Sequence, residues 1–334
     1  MGVPLGDLVL GHKQDIQDFK GKTIAIDAHN SLYQFLSIIR QPDGTPLRDG
    51  EGRITSHLSG LLYRTANLVD AGIRPVYVFD GLPPDLKEKT IVQRRVLRRT
   101  ADAEWKRALE EGDMERAYIK ATQSSRLTGE IVADAKRLLS DLGLPWVQAP
   151  SEGEAQATYM AIRGDVWAVA SQDLDCLLFG SPQLIRNLTI TGRRKLPRRH
   201  TYVTIKPELI HLEELLHRLQ LDRNQLIDLA ILVGTDFNPG VKGIGPKTAL
   251  KLIKEHGELE GALRAIGKEI PDYREIRQIF RKPKTTTQYE IRWGRTNEEK
   301  VKEFLCEQHD FSIDRVKKAL GKFGFLGQRS LDSF

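Results

Sequence analysis

The chain has 334 residues, 40% of them hydrophobic and 29% charged, enough for one large domain, or a main domain with a smaller companion, around a buried core. Lysine and arginine outnumber aspartate and glutamate 51 to 45, a formal charge of +6, a surplus that says little unless it is clustered. There is no signal peptide and no long uninterrupted apolar run, and Cys176 and Cys306 lie far apart in apolar surroundings; secretion and a membrane span are set aside, and the expectation is a soluble intracellular protein with two buried free thiols.

Residues 22–27, KTIAID, read as a short buried strand ending in an acid, Asp27, and a helical pattern follows over 31–39. A loop rich in glycine, proline and aspartate covers 41–52; helical periodicity resumes over 54–69 and stops at Gly72. Residues 74–80, RPVYVFD, repeat the design of the first strand: an apolar run, the acid Asp80, then a stop at Gly81, Pro83 and Pro84. Strands alternating with helices predict a mainly parallel sheet covered on both faces. Its acids are then expected at one sheet edge.

The segment 86–129 breaks that alternation. It is helix-prone, poor in large apolar residues and rich in base, with no acid among Arg94, Arg95, Arg98 and Arg99. It reads either as a solvated amphipathic helix or as a positive stripe on one helix face that holds a polyanion. The arginine spacing favours the stripe for the first half.

A helix over 125–142 and a strand over 144–148 lead into the acidic stretch 150–180. Glu152 and Glu154 form an E-x-E pair, and Asp173 and Asp175 a D-x-D pair. Between them lie a helix-like run over 155–163 and an apolar strand over 166–170. Ligands of an open α/β sheet sit beyond the carboxyl ends of its strands, where Asp173 and Asp175 stand. Four carboxylates brought together must protonate, stay solvated or hold a cation. Ser151-x-x-Glu154 also fits a capping box, and the Asp pair also fits a polar turn, so each pair alone leaves metal binding open.

Further on come a strand over 183–188, a basic turn at 193–195, a strand over 201–205, and helices over 207–219 and 224–233. The last helix runs into Asp236 and a loop containing GIGPKTA at 243–249. Its glycines let backbone amides approach a ligand, Pro246 suits a first helical turn, and a helix N-terminus attracts phosphate. The plainer reading is ordinary loop glycines before a helix; Lys242 and Lys247 weigh against it.

The motifs IDA at Asp27, VFDGLPP at Asp80, PSEGEA at Glu152 and Glu154, SQDLDCLLFG at Asp173 and Asp175, GTDF at Asp236 and GIGPKTA, all in order, resemble the flap structure-specific endonucleases of the 5′ nuclease superfamily. The likeness runs from Val3 to the last residue. It implies an α/β fold with a mainly parallel central sheet flanked by helices, a helical arch insertion, and a C-terminal helical DNA-binding region containing a helix-turn-helix-like phosphate-binding motif. The implied division is an N-terminal nuclease region 1–85, a basic arch 86–130, an internal nuclease region 131–236, a duplex-binding region 237–325 and a clamp-binding tail 326–334.

The resemblance also implies a hydrolase that cuts 5′ flaps of branched DNA near the single-strand/duplex junction, with 5′-3′ exonuclease action at nicks and gaps, in Okazaki-fragment maturation and repair. Seven carboxylates would hold two Mg2+, for which Mn2+ can substitute: Asp27, Asp80, Glu152, Glu154 and Asp173 mainly around one ion, Asp173, Asp175 and Asp236 around the other. An all-oxygen donor set agrees, since it suits hard cations better than zinc. Lys87 and Arg94 match catalytic positions at the root of the arch, two helical turns apart on one face, with Arg95 and Arg98 beside them as DNA contacts. His29, close to Asp27, is tempting as a ligand, but the resemblance does not require it and it is read as packing. Tyr33 matches an aromatic that stacks on a base, although packing with Phe35 also explains it. Lys242, Gly243, Gly245 and Lys247 would hold duplex phosphates, with K+ in that loop.

At the C-terminus Gln328, Leu331 and Phe334 fit the start of the motif that docks a sliding clamp (PCNA), Q-x-x-[LIM]-x-x-F-[FY], without its second aromatic; a frayed tail is the plain alternative. The lack of a long basic tail resembles archaeal members. A monomer is expected, in the cytoplasm or nucleoid of an archaeon or the nucleus of a eukaryote. Two other functions stay in view: a non-catalytic structure-specific DNA binder, which the intact acids oppose, and a relative specialised for bubbles or four-way junctions.

Overall fold

The structure, a computed structural model, describes residues 2–190, 192–195 and 202–324. Its strands in chain order are β1 (His12–Lys13), β2 (Thr23–Asp27), β3 (Arg74–Phe79), β4 (Trp146–Gln148), β5 (Ala168–Ala170), β6 (Gln183–Arg186), β7 (Gly192–Lys195), β8 (Tyr202–Ile205) and β9 (Glu208–His211). Seven of them form one sheet in the order β1-β9-β6-β5-β2-β3-β4, and β7 and β8 form a separate ribbon. The five strands from β6 to β4 are parallel neighbours; β9 and β1 close one edge antiparallel. The expected mainly parallel α/β sheet is therefore present, with an antiparallel edge.

The helices are α1 (Ala28–Ile38), α2 (Ser56–Asp70), α3 (Glu88–Glu110), α4 (Met114–Gln123), α5 (Gly129–Asp141), α6 (Gly153–Ile162), α7 (Asp175–Phe179), α8 (Leu212–Leu219), α9 (Arg223–Val233), α10 (Pro246–His256), α11 (Leu259–Ile266), α12 (Tyr273–Arg281), α13 (Glu298–Lys302) and α14 (Ile313–Leu320). Strand residues alternate between two apolar layers. Ala25, Val76, Val78 and Val169 face one layer, with α6, α7 and α9, while Ile24, Ile26, Tyr77, Phe79 and Ala170 face the other, with α1, α2 and α5. Burial on both faces is why these strands read as unbroken apolar runs. The Tyr77 hydroxyl, buried with them, is satisfied by Thr65 Oγ1 at 2.7 Å.

α3 and α4 form a helical pair outside this sandwich. Among α3 side chains only Ala101 and Ala108 are buried, so small residues let α3 lie closely on α4, while basic residues share the rest of its surface with exposed apolar ones such as Val92, Val96 and Leu97. Two local expectations differ from the structure. Residues 193–195 belong to β7 rather than a turn, because they pair with β8 across the ribbon. The helix expected over 207–219 starts only at Leu212; Glu208–His211 extends as β9, since Leu209 and Ile210 bury themselves by pairing along β6. Cys176 is buried as expected, whereas Cys306 is half-buried, and both are free. Among the described residues no helix is long and apolar enough to cross a membrane.

Candidate metal and nucleic-acid site

β5, β2 and β3 are adjacent and parallel, so their carboxyl ends share one rim. Asp27 closes β2 and caps α1: its Oδ1 accepts Asn30 N–H at 2.9 Å and its Oδ2 accepts the Ser171 hydroxyl at 3.0 Å. Asp80 follows β3, and its Oδ1 accepts Gly153 N–H at 2.7 Å. A Cβ on Gly153 would lie 2.7 Å from that oxygen, so glycine lets α6 start against the Asp80 carboxylate. The capping box is not formed: the Ser151 hydroxyl donates to Leu82 O at 2.9 Å, and Glu152 stands at the N-cap of α6 without a side-chain cap bond. Glu154 is thereby left to the rim, with its Oε1 3.2 Å from Ser171 Oγ.

Beyond β5, Asp173 N–H donates to Ser171 Oγ at 3.1 Å and Asp175 N–H donates to Asp173 Oδ1 at 3.1 Å. The polar turn is thus real, yet it gathers carboxylates rather than dispersing them. One oxygen each from Glu154, Asp173 and Asp175 lies within 4.8 Å of the others. Val3 N–H reaches Asp175 Oδ1 at 2.9 Å, so the N-terminal segment packs onto the acids. Asp236 lies just past α9, within reach of Lys87 and Arg94.

Burial and mutual repulsion set the electrostatics. Burial, with Asp80 next, raises the Asp27 carboxyl to about 7, and burial raises Asp173 to about 6. Burial and then Asp173 push Glu154 and Asp175 well above the ordinary range. Ser171 shows the same crowding in its geometry, since a hydroxyl with one proton faces both Asp27 and Glu154. Two cations answer the outer acids. Lys87 Nζ donates to Glu152 Oε2 and lies 3.4 Å from Asp236 Oδ2, and Arg94 Nη2 donates to Asp236 Oδ1. Burial would depress the Lys87 ammonium, but Glu152 and Asp236 outweigh it. Among the described residues, Asp27, Glu154, Asp173 and Asp175 have no ion pair. Buried oxygens of this kind, crowded and without a cationic side chain, are a donor set that fits a divalent hard cation.

The inner face of α3 carries Arg94 and Arg98, with Lys87 at its N-cap. The Arg98 guanidinium lies 4.8 Å over the Tyr33 ring, whose face it covers. Arg95 and Arg99 are exposed. The four arginines therefore do not share one face as expected: a step of one residue turns a side chain by about 100°, so Arg94 and Arg98 turn inward and their neighbours outward. In the loop after α9, Val241 and Ile244 pack on the core while Lys242 is exposed, as is Lys247 in the first turn of α10. Gly243 has φ +87°, a left-handed conformation that side chains rarely adopt. Gly245 is the N-cap and Pro246 the first residue of α10, with no side chain capping its amides. Gln328, Leu331 and Phe334 lie outside the described residues. Sequence reasoning missed Ser171, Val3 and Gln148, of which Ser171, inside the SQDLD motif, left a signal there; His29, read as packing, instead accepts the Asp80 N–H.

Carboxylates at the carboxyl rim of a parallel sheet, beneath a helix whose cations point into them, define a metal-dependent nuclease. The XPG N-terminal domain family matches residues 5–101 and the XPG I-region matches 143–236. Flap endonuclease 1 of Methanosarcina barkeri is 52% identical over 337 residues, covering 100% of both chains, and that of Archaeoglobus fulgidus is 55% identical, covering 98% of this chain and 97% of the relative. The chain belongs to the flap endonuclease family, whose members hydrolyse phosphodiester bonds. Among solved structures, flap endonuclease-1 from Methanococcus jannaschii superposes with a TM-score of 0.78 at 45% identity, over 97% of this chain and 98% of that one. The catalytic core of Rad2 in complex with DNA substrate, at 24% identity and a TM-score of 0.70 over 96% and 97% of the two chains, shares the fold.

Proposed function

We propose that this chain is a structure-specific 5′ flap endonuclease, with 5′-3′ exonuclease action at nicks and gaps, in Okazaki-fragment maturation and DNA repair. The observation that supports the reading is a cluster in which Glu154, Asp173 and Asp175 offer oxygens within 4.8 Å of one another and Asp27, Asp80, Glu152 and Asp236 lie near enough to interact electrostatically with neighbouring acids of the group; Asp27, Glu154, Asp173 and Asp175 have no ion pair among the described residues. Asp27, Asp80, Glu152, Glu154 and Asp173 would hold one Mg2+ or Mn2+, and Asp173, Asp175 and Asp236 a second. When bound, such ions activate water and neutralise the charge that develops on a phosphodiester undergoing hydrolysis. Lys87 and Arg94, now paired with Glu152 and Asp236, would turn to the scissile phosphate and stabilise its added charge.

The remaining roles follow the surfaces. Tyr33 would take a base on the ring face that Arg98 now covers; Arg95 and Arg98 would contact the single strand beneath the arch, 86–130. Gly243, Gly245, Lys242 and Lys247 would hold duplex phosphates at the start of α10, with K+ in the loop, in a duplex-binding region 237–325. Contacts of this kind read shape rather than base sequence. Gln328, Leu331 and Phe334 would dock a monomeric enzyme on a sliding clamp. The test is incubation with labelled flap, nicked, bubble and blunt duplexes, with magnesium or with a chelator. The expected result is magnesium-dependent cutting of the flap in preference to the rest. Tight flap binding without cutting would mean a non-catalytic binder, and preference for bubbles a different specificity.

A further inference from the structure

β2 and β3 pair in register as far as Asp27 opposite Val78. Beyond that point β2 turns into α1, and the backbone N–H of Asp80 has no strand left to bond. His29, in the first turn of α1, supplies the acceptor: its Nδ1 lies 3.0 Å from Asp80 N. A ring nitrogen that accepts from an amide carries a lone pair, so the neutral ring holds its proton on Nε2. The ring is fixed edge-on against Phe79, with centroids 5.9 Å apart and planes at 79°. On the other side of the same residue, Asp80 C=O accepts from Gln148 Nε2 at 2.7 Å.

Asp80 is therefore held at three points: N–H by His29, C=O by Gln148, and Oδ1 by Gly153 N–H. The holding matters because packing does little here. Its side chain is 39% exposed, against 11% for Glu152 and 10% for Asp236. Oδ2 lies 3.5 Å from His29 Nδ1 and gains no proton from it, because that nitrogen is already an acceptor. It is the oxygen left to ligate.

We propose that His29 is a positioning residue for the divalent-ion site: by accepting the orphan Asp80 N–H, it fixes the strand end from which Asp80 presents Oδ2. The inference rests on the metal-site reading above. Groups that orient metal ligands typically alter affinity about 10- to 100-fold when lost. Two variants separate hydrogen bonding from packing. His29→Phe keeps a ring against Phe79 and loses the acceptor; His29→Asn loses the ring and keeps an oxygen close to the place of Nδ1.

Mn2+ binding to the DNA-free full chain, followed by electron paramagnetic resonance, is expected to weaken about 10- to 100-fold in His29→Phe and to stay near wild type in His29→Asn. Any order other than Asn tighter than Phe overturns the proposal. Should a variant not fold, 15N-histidine resonances of the wild-type chain decide: Nε2–H with bare Nδ1 supports it, and Nδ1–H overturns it. A wild-type chain that takes up no Mn2+ overturns the metal-site reading and this proposal with it. Equal Mn2+ affinity in wild type and His29→Phe overturns this proposal alone.

Discussion

Asp173 shows how one residue can serve a turn and a site together. Its N–H is satisfied by Ser171 Oγ and its Oδ1 accepts Asp175 N–H, yet burial still raises its carboxyl to about 6. A neutral or absent carboxylate there leaves the turn backbone capable of folding and removes charge from the centre of the rim. Asp173→Ala is expected to lower flap cleavage by at least about 100- to 1,000-fold while flap binding in a gel-shift assay stays largely intact. Cleavage at the wild-type rate would falsify the site assignment. Asp80→Ala is expected to behave alike, because Asp80 sits at the end of its strand, and its loss creates no cavity in either apolar layer.

At the scale of elements, α3 is tied down by the acids it covers. Lys87, Arg94 and Arg98 recur at seven and four residues along one helix face, meeting Glu152, Asp236 and Tyr33. Arg94 reaches Asp236 at the acid rim, and on the proposed reading it would stabilise the scissile phosphate; Arg94→Ala is then expected to slow single-turnover cleavage by about 100-fold and to change flap affinity far less, and equal losses in both would make it a simple DNA holder. The α9, α11 and α12 cluster, which positions α10, depends on a different cation. Arg277 donates to Asp228 Oδ1 at 2.8 Å and Oδ2 at 3.0 Å, and to Glu260 Oε1 at 3.0 Å and Oε2 at 2.9 Å. Asp228 also accepts Leu259 N–H at 3.1 Å, linking α9 to α11. Removing one member of a buried ion pair leaves the other uncompensated, so Arg277→Ala is expected to cost about 3 kcal/mol in urea unfolding. A loss under about 1 kcal/mol would show that solvent replaces the guanidinium.

For the whole molecule, the acid rim makes stability depend on pH and on divalent ions. The folded chain without ions holds Asp27 and Asp173 protonated up to about 7 and about 6, whereas the unfolded chain releases those protons near pH 4. Between those limits the folded state binds more protons, so the contribution of these groups is full below about pH 4 and is lost as pH rises through about 7. Magnesium replaces protons at the rim, so its stabilisation grows over the same range. His57, depressed by burial, pulls the opposite way as pH falls, which is why the difference between magnesium and chelator is the quantity to read. The gain in unfolding midpoint on adding Mg2+ is expected to increase from pH 5 to pH 8; a gain independent of pH would show that the rim is already ionised without metal.

Much of this was written in the chain locally. Apolar runs ending in Asp27 and Asp80, and the E-x-E and D-x-D pairs, carried the parallel sheet and the acids at its rim, because strand periodicity and strand ends are properties of neighbouring residues. Tertiary structure alone decided what those residues touch: that Ser151 bonds Leu82 and not α6, that Arg94 turns inward while Arg95 faces solvent, that 208–211 extends along β6, and that His29 meets Asp80 across 51 positions of sequence. Such pairings depend on where a strand ladder runs out and which orphan donor lies opposite. Residue type and spacing fix neither, since both depend on atoms that only the folded chain brings together.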